Sequence, residues 1–137
     1  MDRRVANSDS IIIRERGAGE IEAFSATLAR VVGGGRGRCN DAGESLTTSI
    51  RAEAADMPAL FAGLIDAVND ATDNLGMAAV SARVDGIVRA ETGYVAWGVI
   101  GLDRGASDRS AILLASPPIV LELNGETVVE VRVRDPV

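Results

Sequence analysis

All fourteen basic residues of this 137-residue chain are arginines; it contains neither lysine nor histidine. Without an imidazole there is no Ser-His pair, no histidine base and no His-ligated zinc. Without lysine there is no Schiff-base amine and no phosphate-loop lysine. Acid–base chemistry would fall on carboxylates or on Tyr94, and no carboxylate pair is spaced for it. Asp66 and Asp70 stand at i, i+4 on a helix, the spacing of a solvated flank. The single cysteine, Cys39, lies in the Gly-rich stretch 33–44 beside Arg36 and Arg38. That stretch has the composition of a backbone nest for a phosphate. It matches no phosphate fingerprint, however, so a solvated linker and an ordinary surface thiol are the preferred readings. The chain is not expected to be an enzyme.

The element that must position everything else is 45–73. Leu46, Thr48, Ile50, Ala52 and Ala54 alternate with Thr47, Ser49, Arg51 and Glu53, the period of a strand with one wet face. Asp56 then offers a carboxylate to the free amides of a helix start, and Pro58 suits its first turn. Leu60, Phe61, Leu64, Ile65 and Val68 form a broad apolar stripe on that helix, and Gly76 closes it.

Before this unit, Ile11–Ile13 reads as a short strand buried at its beginning. Ile21, Phe24, Leu28 and Val31 mark a first amphipathic helix ended by Gly33–Gly35. After it, Ala78, Val80, Ala82 and Val84 mark a strand that returns through Asp85-Gly86 or Thr92-Gly93, one of them a turn and the other a bulge, and ends near Ile100. A polar loop is expected over 103–110, then a short apolar strand over 111–115 that Pro117-Pro118 interrupts or pushes to an edge. Asn124-Gly125 supplies a type I′ turn for a closing hairpin, with Val129, Val131 and Val133 facing inward. The sum is an α+β fold in the order β-α-β-α-β-β-β-β, with one further short strand optional. Two helices laid on one face of a largely antiparallel sheet is its simplest packing.

Length and an apolar content of 47% suit a single domain over 1–137, and aromatics at 3% leave the core to aliphatic packing. No apolar run is long enough for a membrane span, no signal peptide is expected, and one cysteine fits a reducing compartment, so a cytoplasmic protein is expected. A net charge of −6 and few aromatic rings argue against a broad nucleic-acid surface.

The element order, the length and the phrase Arg51-Ala-Glu-Ala-Ala-Asp-Met-Pro-Ala-Leu-Phe-Ala-Gly-Leu-Ile-Asp66 resemble the archease family. Gly17 with Phe24, and the ending Arg134-Asp135-Pro136-Val137, extend the resemblance over nearly the whole chain. It departs from the pattern in two places. Where archeases carry His-Thr-Ala-Asp, this chain reads Asn7-Ser8-Asp9-Ser10, so Ser10 occupies the aspartate slot. Where they carry Lys-Ala-Val-Thr-Tyr-His, it reads Leu114-Ala-Ser-Pro-Pro-Ile119.

The resemblance implies a non-catalytic accessory protein that activates an RNA-splicing ligase during its guanylylation, through an acidic metal-binding tip. The partner would be that ligase or a relative of it. A retained tip would place Asp9, Asp135 and the Val137 carboxylate around Ca²⁺ or Mg²⁺. With Ser10 in the slot and Pro136 displacing the terminus, few oxygens converge. The expectation is therefore no bound metal or other cofactor, with Asp9 at a loose terminus and Asp135 at a solvated strand end. The alternative is an interaction or scaffold protein of the same fold that has lost the tip and works through its surface, with homo-oligomerisation as one form.

Overall fold

The computed structural model describes residues 10–33, 45–104 and 111–134. Along the chain they form β1 (Ser10–Gly17), α1 (Glu20–Gly33), β2 (Ser45–Ala54), α2 (Met57–Leu75), β3 (Ala78–Ala90), β4 (Gly93–Asp103), β5 (Ile119–Leu123) and β6 (Glu126–Arg134). The fold is α+β and the element order is the expected one. The strands, however, divide into two three-stranded antiparallel sheets, ordered β1-β6-β5 and β2-β4-β3, where a single sheet was expected. The helices fill the space between them: α1 touches β1 and β6 of one sheet and β3 of the other, and α2 touches β2 and β4 as well as β5. Alternation along a strand shows which residues face inward. It does not show which strands are neighbours.

The α2 helix starts and stops where its chemistry requires. Asp56, extended at φ −140°, accepts a 2.9 Å hydrogen bond from the Ala59 amide, and proline sits in the first turn. Gly76 adopts φ 65° and its amide bonds the Thr72 carbonyl, ending the helix. Phe24 of α1 meets Phe61 of α2 edge to face, with centroids 5.2 Å apart and rings at 83°. Such a pair adds about 0.5–1.5 kcal/mol to the burial of the two rings. Leu28, Leu60, Leu64, Ile65 and Val68 join them in one core with Ile13, Ile50, Ile100, Val129 and Val131 from both sheets.

Several local expectations change. Of the triple isoleucine only Ile13 is buried; Ile11 and Ile12 are about half exposed. Three consecutive strand residues cannot all face one core, and β1 is a sheet edge. Leu46 is also exposed, at the start of edge strand β2. The β3–β4 turn is at Glu91-Thr92, and Asp85 is the bulge, with a second irregularity at Val80. At the Asp85 bulge the Val84 amide donates to the Ser25 hydroxyl of α1 at 3.0 Å, a side-chain partner for a backbone group at the ladder's break. β4 continues beyond Ile100 to Asp103, which is buried. Residues 111–115 form no regular strand and make one isolated bridge, Leu114 to Val133. The closing hairpin is as expected: Asn124 and Gly125 have φ of 52° and 82°, Val129 and Val131 are buried, and Val133 packs against the core.

Candidate functional site

The last residues of β6 stand between two segments from opposite ends of the chain. On one side β1 pairs antiparallel with β6, ending at Ser10 opposite Arg134. On the other side the Arg134 amide donates to the Leu113 carbonyl and the Ala115 amide to the Arg132 carbonyl, each at 2.8 Å. Residues 113–115 are held from below as well, because Asn69 of α2 grips the backbone of Ile112 on both its N–H and its C=O. One end of this sheet thus gathers the start of β1, the end of β6 and the segment leading into β5.

The sequence-derived ligands Asp9, Asp135 and Val137 lie outside the described residues, as does Pro136. Next to them the register sets a neutral hydroxyl, Ser10, directly across from a permanent cation, Arg134. Directly opposed side chains on one sheet face have Cβ atoms about 4.5–5.5 Å apart. This pair supplies one hydroxyl and one cation, and no carboxylate, to a divalent ion on its face. Among the described residues no three acidic, cysteine or histidine side chains are grouped to hold a metal.

Beside this end lies an open groove of about 750 Å³. One wall is the first turns of α2, with Asp56, Pro58, Ala59 and Ala62. The other is Leu114, Ser116, Pro117 and Pro118. The groove offers mostly apolar surface with the Ser116 hydroxyl and the Asp56 carboxylate, one oxygen of which accepts from the Ala59 amide. Its lining suits contact with an apolar segment better than bond making. Sequence reading missed this groove. The Pro-Pro pair marked a break in a strand, and nothing in the spacing showed that the break would face the start of α2.

The remaining candidates separate. Asp66 and Asp70 are exposed on α2, as expected for a solvated flank. Tyr94 is half-buried with the Arg89 guanidinium 5.9 Å from its ring centre. Arg36, Arg38 and Cys39 lie outside the described residues. On the outer face of the second sheet Trp97 is 40% exposed and lies over Gly86. The nearby Arg51 and Arg83 each pair with a carboxylate of their own strand, Glu53 and Asp85, at 2.7 Å. No helix among the described residues is long and apolar enough to cross a membrane.

Protein-family models give no match to this chain, and neither do curated protein sequences.

Proposed function

We propose that this chain is an archease-like accessory protein, which performs no chemistry itself and acts by contact on a protein partner, an RNA-splicing ligase or a relative of it. The observation that carries the reading is the convergence at the end of β6. The resemblance assigns the family's motifs to Ser10, to 114–119 and to Asp135, which are far apart in sequence. In the fold Ser10 and 113–115 flank the same three residues of β6, immediately before Asp135. Three separated stretches meeting at one end is what a working tip requires, and the apolar groove beside them offers a partner a place to bind.

The test uses an RNA ligase that seals 2′,3′-cyclic-phosphate ends, taken from the same genome. Adding the purified chain should accelerate covalent guanylylation of that ligase, and Ala62→Arg, which fills the groove, should abolish the gain. An unchanged guanylylation rate would remove the ligase from the reading.

A second reading is favoured by Arg134. A cation across from the aspartate slot opposes a divalent ion, which fits an interaction or scaffold protein that has lost the metal tip. Under that reading the groove remains a contact surface and guanylylation does not respond.

A further inference from the structure

We infer that β5 is the seam of a symmetric homodimer, in which two copies of the chain pair their β5 edges antiparallel about an axis through Leu121. Among the described residues no strand pairs with the outer edge of β5. The other three sheet edges carry the usual protection: β1 has Arg14 and Arg16, β2 has Arg51, and β3 has two irregularities in its ladder. β5 has no bulge and no arginine; its protection is its shortness, Pro118 at its start and the single charge of Glu122. Its Ile119, Leu121 and Leu123 form a stripe on the outer face, exposed by 47%, 50% and 50%.

Hairpin geometry fixes which backbone groups of β5 point outward. The two-residue turn Asn124-Gly125 makes Leu123 and Glu126 a hydrogen-bonded pair. Alternation then commits Leu121 and Ile119 to β6 as well and leaves the N–H and C=O groups of Val120 and Glu122 facing away from it. A second strand must meet those two residues with two of its own.

Only one self-pairing satisfies this without a defect. An axis at Val120 sets Pro118, which has no N–H, against Glu122 of the other copy. An axis at Glu122 stacks two glutamates directly opposite each other, which is destabilising. The axis at Leu121 pairs Val120 with Glu122 twice, for four backbone hydrogen bonds. It also aligns Ile119 with Leu123 and Leu121 with its own mate. The six apolar side chains then form one continuous stripe, and the two sheets become one of six strands. The contact is isologous and closes on itself, so it stops at two copies.

Light scattering of the eluting chain should give twice the monomer mass. Leu121→Lys, which sets two ammonium groups against each other across the axis, should give the monomer mass with unchanged helix and strand content by circular dichroism, and should remove the concentration dependence of the parent's melting temperature. The register has its own test in a Cys39→Ser background. Leu121 sits in a non-hydrogen-bonded pair with itself, where Cα atoms are about 4.5 Å apart and within disulfide reach. Leu121→Cys should therefore cross-link rapidly under mild oxidation. Leu123→Cys should not, because its mate is about 13 Å away along the strands. A monomer mass at every concentration overturns the proposal and leaves this edge to a strand of a different protein. A dimer that survives Leu121→Lys, or cross-links as readily through Leu123→Cys, overturns it too.

Discussion

Asn69 and Ile112 exchange two hydrogen bonds across 43 residues of sequence. The Asn69 amide nitrogen donates to the Ile112 carbonyl at 2.8 Å, and the Ile112 amide donates to the Asn69 oxygen at 2.9 Å. The side-chain amide thereby does for an irregular segment what a neighbouring strand would do for a regular one. It anchors the start of the segment that borders the groove and meets the end of β6.

Asn69→Ala takes away both of these partners of a half-buried peptide. The expected loss is about 1–3 kcal/mol in a denaturant melt. Amide exchange should accelerate at 112–115 before it does in the helices. Equal protection in variant and parent would show that β6 alone holds the segment.

Leu64 is fully buried on α2 in the core shared by both sheets. Leu64→Ala should cost about 2–5 kcal/mol, the range for truncating a buried leucine whose surroundings relax only in part. A cost near zero would mean that the space between the sheets can collapse around the missing side chain.

Gly86 and Gly98 both leave no room for a Cβ, but for different reasons. At Gly86 the added carbon meets the Trp97 ring; at Gly98 it meets the Arg83 carbonyl and the Val84 Cα. Trp97 is part-exposed and can turn aside, whereas the backbone of a paired strand cannot. Gly98→Ala should therefore destabilise more than Gly86→Ala, by about 1–3 kcal/mol or above for a forced backbone shift. Gly86→Ala should instead shift the fluorescence of the single tryptophan. The reverse order in urea melts would contradict this account.

Millimolar Ca²⁺ should leave the melting temperature unchanged, and Asp135→Asn should alter it little. A bound ion stabilises in proportion to its occupancy, and the described end of the sheet contributes Ser10 and Arg134 where an acidic pair would be needed. A calcium-dependent rise that Asp135→Asn abolishes would restore a working metal tip.

What the sequence determined by itself was local. Asp56, Pro58 and Gly76 mark the ends of α2, Asn124-Gly125 marks the last hairpin, and the stripe from Leu60 to Val68 marks the buried face of the helix. Each is settled by residues within a turn or two of one another, so spacing alone reveals it. The absence of histidine and lysine likewise narrowed the chemistry before any fold was known. Tertiary structure decided what depends on distant partners. It split the strands into two sheets, decided between Asp85-Gly86 and Thr92-Gly93 by making the first the bulge and setting the turn at Glu91-Thr92, and exposed Ile11 and Ile12 at an edge. It also brought Ser10, Arg134 and Leu113 together and closed Asn69 on Ile112. Such pairings join residues 21 positions apart (Leu113 and Arg134), 43 apart (Asn69 and Ile112) and 124 apart (Ser10 and Arg134). Their choice rests on how the helices fill the space between the sheets, which no local period encodes.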